Sequence, residues 1–444
     1  MKTDSTPTHT AVAPESLSTQ LQYQTGSTGI QSLVMEGADL NALADQFGTP
    51  LYVYSAQHII DAYQAYAQAC EGLADATICY AVKANSNIHI LALLAQQGAG
   101  FDIVSAGELA RILAAGGNPA KAVFAGVGKT SDEIRFALEK GVGCFNVESE
   151  QEMARIANVA QSMGVKAKVS LRVNPDVDAK THPYISTGLK ENKFGVSMEA
   201  APQVYRFAHQ SPWLEVHGVD CHIGSQLTDA SPYFDALDRV LALLDQLSAE
   251  GIEINHLDLG GGIGIRYLDE TPPSPKDVLP ALIAKVKTWA QAKGRSMPTL
   301  SFEPGRSIVG NSGVLLTEVQ FIKQNGDKNF AIVDAAMNDL MRPAMYQAFH
   351  GVAELQKDAA KPSQLVDLVG PVCESGDWLA RNRNLHIEQG DRLAILSAGA
   401  YGQTMASNYN SRGRCAEVLI TQGQARLIRT RETIEDQLRN EIGL

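Results

Sequence analysis

Between residues 78 and 303, short apolar or β-branched runs recur, separated by longer stretches in which apolar residues return at helical spacing. The runs are ICYAV (78 to 82), FDIV (101 to 104), AVFAG (122 to 126), CFNV (144 to 147), KVSLRV (168 to 173), VHGVDCHI (216 to 223), INHLDL (254 to 259) and TLSFE (299 to 303). Segments between them, such as NIHILALLAQQ, SAGELARILAAG and SEQEMARIANVAQSMG, carry an apolar stripe with a glycine at or just past the last turn. Eight strand and helix units over this span predict a (β/α)8 barrel, whose usual length is about 250 residues; a doubly wound open sheet is the second choice.

After Ser307 the pattern changes. VLLTEVQFIK, FAIVD, LVDLVGPVC, DRLAILS, AEVLI and ARLIR read as strands separated by turn signals, which predicts a β-sandwich or small β-barrel. SLVMEGADLNALADQFG, ahead of the first barrel strand, supplies a further strand to that second domain and then a helix. The expected organisation is a disordered tail over 1–29, an N-terminal segment of the β domain over 30–50, the barrel over 51–310 and the β domain over 311–444. TPPSPKD (271 to 277) reads as a proline-rich excursion and HGVAELQKDAAKPSQ as an exposed connection.

Composition narrows the class of function. The 444 residues are 45% hydrophobic and 19% charged with a formal net charge of -12, and no basic run opposes that charge. Nucleic acid and acidic membrane surfaces are disfavoured, and a small-molecule ligand is expected. Cys70, Cys79, Cys144, Cys221, Cys373 and Cys415 are scattered with no CxxC pair, so neither a metal site nor a disulfide framework is indicated. The first 30 residues lack the apolar centre of a signal peptide, and no stretch approaches the roughly 20 apolar residues of a membrane span. A cytoplasmic location follows as the expectation.

In a (β/α)8 barrel the chemistry gathers where strands run out into the loops before the helices. Lys83 ends the first run and Asp102 lies in the second; Arg172 and Asn174 end the fifth, and His222 and Ser225 the sixth. Gly260, Gly261 and Gly262 follow the seventh, and Glu303 and Arg306 the eighth. Each has an ordinary alternative. A lysine at a strand end is usually a solvated surface residue, a GGGIG turn often only closes a loop, and a lone histidine is commonly a satisfied buried one. A barrel strand alters the balance for Lys83, because apolar flanks partly desolvate its amine and free it to form a Schiff base. Glycine turns after strands 7 and 8 match the usual phosphate site of the fold. A lysine, a phosphate cradle and a carboxylate together suggest pyridoxal phosphate, with Glu303 best placed to keep the pyridine nitrogen protonated.

The chain resembles the pyridoxal-phosphate-dependent decarboxylases of the alanine-racemase fold, and among them the diaminopimelate decarboxylases. The resemblance lies in YAVKAN (80 to 85), FDIVSAGEL (101 to 109), RVNP (172 to 175), THPYISTG with KFG (181 to 195), CHIGSQ (221 to 226), LGGGIGI (259 to 265), EPGRS (303 to 307), GPVCESGD (370 to 377), GAYG (399 to 402) and SNYNSR (407 to 412). It implies that Lys83 holds the cofactor and His222 stacks on its ring. Ser225, Gly261, Gly262, Gly305, Arg306 and Tyr401 would surround the phosphate, Glu303 would pair with the pyridine nitrogen, and Asp102 joins the cofactor set. Arg306, Arg342 and Tyr346, with Tyr401, would bind the substrate's distal carboxylate. Cys373 would be a proton donor and Glu374 an amine partner, both reaching into the other subunit of a homodimer. A buried structural role is the ordinary alternative for Cys373. The sequence departs from the family at Gly413, where SNYNSRGR would be expected to carry proline.

The implied reaction is decarboxylation of meso-diaminopimelate to L-lysine. Ornithine, arginine or carboxylated-polyamine decarboxylases are the nearest rivals, and their substrates lack a distal carboxylate for Arg342. A racemase would need an arginine in place of Glu303. A non-catalytic pyridoxal-phosphate-binding relative is opposed by the joint presence of Lys83, Cys373 and Glu303.

Overall fold

A computed structural model of the chain describes residues 12–26, 29–73, 76–178, 187–188, 191–358 and 360–443. It forms two compact units: one holds residues 60–265 and 271–307, the other the residues up to 59 together with 266–270 and those from 308 onward.

The first unit is the expected barrel. Its strands are β1 (Ala76–Ala81), β2 (Gly100–Ile103), β3 (Ala122–Phe124), β4 (Cys144–Val147), β5 (Ala167–Asn174), β6 (Leu214–Asp220), β7 (His256–Asp258) and β8 (Thr299–Phe302). Each is parallel to its neighbours, β8 pairs with β1 and β4 with β5, so the ring closes and the open-sheet alternative falls. Strands covered on both faces need no polar alternation, which is why they read as continuous apolar runs. Tyr80, Phe101, Phe124 and Phe145 are among the largest fully buried side chains, and the rings of Phe124 and Phe145 stack 5.9 Å apart.

Local signals set where each loop ends. The side chains of Asn87, Ser105, Thr130 and Ser149 accept backbone N–H groups in the first turns of helices Ile88–Gln96, Ala106–Ala114, Ser131–Lys140 and Glu150–Met163. Each occupies a donor that the helix cannot satisfy itself. The loops from strand to helix are thereby kept short and fixed. The proline-rich 271–277 stretch is partly an excursion only: Ser274 caps helix Pro275–Ala292, which begins inside it.

The second unit is β-rich, as expected, but its composition differs from the sequence reading in four places. LYVYS, inside the expected barrel bounds of 51–310, is strand Leu51–Ser55 of this unit, antiparallel to Gly313–Asn325 and parallel to Ala416–Thr421. All five of its residues are buried, so it cannot be told from a barrel strand by periodicity. The tail expected to be disordered to Gly29 contains strand Leu21–Thr25, paired with Gln31–Met35 and secured by the Tyr23 hydroxyl donating to Glu354 O at 2.7 Å. The connection at 350–364 carries the buried strand Val352–Glu354, paired with Arg392–Ile395. A nine-residue strand, Trp378–His386, went unread because its arginines and asparagines break the apolar pattern. Leu33, Met35, Leu40, Val53, Leu316 and Val418 lie in the core of this unit. Among the described residues no helix is long and apolar enough to cross a membrane.

Candidate functional site

Lys83 stands in a single 3-10 turn, Val82–Ala84, directly after β1. The turn is held from two sides: Ala81 N donates to Pro304 O at 3.0 Å, and the Tyr80 hydroxyl donates to Asn85 O at 3.0 Å. A Cβ at Gly305 would come within 3.0 Å of Ala81 Cβ and 3.1 Å of Ala84 Cβ, so glycine lets the EPGR loop lie against the lysine turn without crowding it. The amine forms an ion pair with Asp102 of β2. The apolar flanks expected to desolvate the amine are joined by a carboxylate that is 1% exposed, while the lysine side chain is itself 38% exposed; the second oxygen of Asp102, Oδ1, is buried with no hydrogen-bond partner among the described residues. Glu108 lies nearby, accepting Val104 N–H at 2.7 Å; burial pushes its carboxyl up to about 7, against the pull of Lys83.

Across the rim, His222 follows β6. Its Nδ1 accepts the Gly261 N–H at 3.1 Å, and burial, reinforced by Arg172 and Lys83, holds the imidazole well below its ordinary pKa. The ring is therefore neutral. Arg172 is buried, donates to Glu148 Oε1 at 3.0 Å and lies 3.9 Å from Asp220 Oδ2. Asn174 donates to Phe194 O at 3.4 Å and so ties β5 to the KFG segment. Of THPYISTG, residues 181–186 lie outside the described residues; the Thr187 hydroxyl donates to His222 O at 2.9 Å.

The glycine turns are demanded by space. A Cβ at Gly261 would sit 2.0 Å from Glu303 O, and Gly262 has φ +113° with Gly224 O 2.3 Å from its would-be Cβ. Arg306, 5% exposed, donates to Ser225 Oγ through Nε at 3.3 Å and Nη2 at 3.2 Å. Glu303, Asp258 and Asp220 each bring a carboxylate oxygen within 4.8 Å of the others. Burial, with the charges of Asp102, Asp258 and Asp220, raises the Glu303 carboxyl well above the usual range. Asp220 and Asp258 were not singled out from sequence. Their signal was positional: each is the last residue of a barrel strand, two short of a rim residue already named.

These groups fit pyridoxal phosphate. A primary amine, a bare-backbone cradle that no side chain could share, a buried arginine with a half-buried serine, and a deep carboxyl correspond to an aldehyde, a phosphate and a ring nitrogen.

The other residues singled out from sequence belong to the β-rich unit. Arg342 opens the short helix Arg342–Tyr346, which also carries Tyr346. The guanidinium is 4.9 Å from the Tyr267 ring centre, and its Nη1 meets His350 Nε2 at 2.9 Å. His350 Nδ1 lies 2.8 Å from Leu396 O, which fixes the tautomer that donates there and accepts from the arginine. Cys373 is exposed, whereas the other five cysteines are buried, so the structural alternative does not hold for it. Glu374 Oε1 accepts the Tyr409 hydroxyl at 2.7 Å, and the Cys373 N–H donates to Asn410 Oδ1 at 3.0 Å. Tyr401 has φ +55° in the GAYG turn. His350, Tyr409 and Asn410 escaped the sequence reading, although the last two lie in the SNYNSR motif.

Residues 56–310 match the family described as pyridoxal-dependent decarboxylase, pyridoxal binding domain. The chain is 58% identical over 404 residues to the diaminopimelate decarboxylase of Pseudomonas aeruginosa, covering 91% of this chain and 95% of that protein. It is 54% identical to that of Vibrio cholerae over 399 residues, covering 90% and 94%. Among solved structures, diaminopimelate decarboxylase from M. jannaschii in complex with L-lysine superposes with a TM-score of 0.90 at 40% identity, covering 98% and 99%. The Helicobacter pylori enzyme, also with L-lysine, gives 0.85 at 43% identity, covering 91% and 99%.

Proposed function

The chain belongs to the pyridoxal-dependent decarboxylases, and from that premise we infer that it converts meso-diaminopimelate to L-lysine and CO2, the last step of lysine biosynthesis. Pyridoxal phosphate is its cofactor. The observation that carries the chemistry is the pairing of Lys83 with Asp102 on the rim that also holds Gly261, Gly305 and Glu303.

Bound pyridoxal phosphate supplies the electron sink that makes loss of CO2 from an amino acid feasible. The remaining work falls to the chain. Lys83 is the amine for the cofactor's aldehyde, and Asp102 holds that amine in place. Backbone N–H groups of Gly261, Gly262 and Gly305, with Ser225, Arg306 and Tyr401, receive the phosphate, and Glu303 receives the ring nitrogen. His222, being neutral, can cover the ring face without adding charge.

Diaminopimelate has a carboxylate and an amine at each end, so the unreacting end must be held by charge while the departing carboxylate is left unpaired. Arg306, Arg342 and Tyr346, with Tyr401, bind the far carboxylate, a task suited to a guanidinium that makes two parallel hydrogen bonds. Glu374 takes the far ammonium. Cys373, an exposed thiol, delivers the proton to the α-carbon after CO2 has left. Cys373 and Glu374 serve the site of a second copy in a homodimer, in the cytoplasm.

The competing substrates, ornithine, arginine and carboxylated polyamine precursors, end in an amine without a carboxylate. Arg342, buried and supported by His350, disfavours them. A panel of these amino acids decides: CO2 release and lysine formation from meso-diaminopimelate, with little turnover of ornithine or arginine, are expected. Robust ornithine turnover with none of diaminopimelate overturns the assignment.

A further inference from the structure

Two segments of the β-rich unit that are 30 residues apart in sequence meet tip to tip. The first is the CESGD turn. Its base is fixed by Asp377, whose Oδ2 accepts the Val372 N–H at 2.7 Å and whose Oδ1 accepts the Met337 N–H at 2.7 Å. The turn between, carrying Cys373 and Glu374, is exposed. The second is SNYNSR, anchored at both ends: Ser407 N donates to Asn338 O at 2.9 Å, and Arg412 Nε donates to Asn338 Oδ1 at 3.0 Å. Asn408 Nδ2 closes the loop on Arg412 O at 3.0 Å.

At the tip the backbone turns left-handed at two consecutive non-glycine residues, Asn410 and Ser411, both at φ +55°. Side chains disfavour that region, asparagine and aspartate least, because their short polar groups bond locally. Here the conformation has a partner: it brings Asn410 Oδ1 to the Cys373 N–H at 3.0 Å, while the neighbouring Tyr409 hydroxyl donates to Glu374 Oε1 at 2.7 Å. Both hydrogen bonds end on the two residues of the turn assigned to chemistry. The bond to Glu374 pushes the Tyr409 phenol up from its ordinary value, so the hydroxyl keeps the proton it donates.

We propose that Asn410 and Tyr409 are positioning residues, Asn410 setting the backbone from which the Cys373 thiol is aimed and Tyr409 orienting the Glu374 carboxylate toward a substrate ammonium. The left-handed tip is the strained element that makes this possible, and the anchors at Asn338 hold it. Tyr409 engages one carboxylate oxygen and thereby presents the other. The proposal rests on the reading of Cys373 as proton donor and Glu374 as amine partner.

The test separates conformation from the hydrogen bond. Asn410→Gly accepts φ +55° but has no acceptor; Asn410→Asp keeps both the acceptor and the tolerance for this region. Hydrogen exchange of the Cys373 amide in the holoenzyme reads the bond directly. Asn410→Gly is expected to speed that exchange about tenfold and lower kcat about tenfold, with KM and cofactor content unchanged, while Asn410→Asp restores both. Tyr409→Phe is expected to raise KM for diaminopimelate more than it lowers kcat. Wild-type exchange or wild-type kcat in Asn410→Gly overturns the proposal, as does failure of Asn410→Asp to rescue. Failure of the underlying reading looks different: Cys373→Ala then keeps wild-type kcat, while the amide exchange still reports whether Asn410 holds the turn.

Discussion

Acid should destabilise this barrel in part through His256, a half-buried histidine whose neutral ring lies between two hydroxyls. His256, the first residue of β7, lies with its ring 4.7 Å from that of His217 on β6. Its Nδ1 is 2.8 Å from Thr299 Oγ1 and its Nε2 3.1 Å from Ser301 Oγ, so the neutral ring has a hydroxyl at each nitrogen. Burial lowers its pKa from 6.5 to about 4. His217 moves the same way, from burial and then from the neighbouring His256, also to about 4. A folded-state pKa below the unfolded value means that the unfolded chain takes the proton first. The stability contributed by the neutral ring is therefore complete above about pH 6.5 and is lost as pH falls toward 4.

For His256 the full loss is about 3 kcal/mol, and at pH 5 about 2 kcal/mol of it is already gone. His217 is partly exposed and adds less, since solvent screens it. His256→Gln removes the titrating group while keeping a donor and an acceptor for the two hydroxyls. Urea unfolding of both proteins at pH 7.5 and pH 5 gives the difference. The wild type should lose about 2 kcal/mol more than the variant over that interval, whatever the variant's stability at pH 7.5. Parallel pH dependences in the two proteins would refute the argument.

Lys83→Ala should abolish the visible absorption of bound cofactor, read in the purified protein; an unchanged spectrum would mean that another lysine holds it. Gly261→Ala forces a Cβ to within 2.0 Å of Glu303 O, so cofactor affinity measured by reconstitution of the apoprotein should fall by at least about tenfold. Lys129 gives all its donors to Gly126 O, Asn146 O and Glu152 Oε1, at 2.8, 2.9 and 2.6 Å, in a buried site. Lys129→Met leaves buried Glu152 without its cation, only the Glu148 N–H still donating to it, and should cost about 3 to 5 kcal/mol in urea unfolding, part of it recovered by adding Glu152→Leu. Arg342→Lys exchanges a planar fork for a point charge and should raise KM for diaminopimelate about tenfold or more while leaving the cofactor spectrum intact; an unchanged KM would remove Arg342 from the substrate site.

The barrel was legible because its strands are short apolar runs, and the first four of them lead into helices with side-chain caps. Asn87, Ser105, Thr130 and Ser149 mark those helix starts in the sequence as clearly as in space. Periodicity could not assign Leu51–Ser55, whose partners are the strands beginning at Gly313 and Ala416, hundreds of residues away. A strand buried on both faces carries no mark of which sheet buries it. Trp378–His386 failed for the opposite reason. Its polar residues are part of the strand: Arg383 is buried and donates to His350 O at 3.2 Å, so what looks like a loop by composition is a strand with bonded polar groups.

The site divides along the same physical line. Residues whose chemistry is unusual for their position could be picked out: an amine at a strand end, three glycines in a row, an arginine after EPG. Residues that act by holding others could not. Asp220 ends β6 and Asp258 ends β7, and the register sets them side by side, yet VDC and LDL resemble any strand interrupted by one acid. Only the closed ring shows that they converge with Glu303 within 4.8 Å. Three carboxyls so close in a buried place repel one another, and Arg172, 3.9 Å from Asp220, is shared with Glu148, which it meets at 3.0 Å. Burial, with repulsion from neighbouring carboxylates, raises the pKa of each of the three. The charge that Glu303 presents is thus set jointly by β6, β7 and β8, a property that pairing register and burial create and that no residue of the three carries alone.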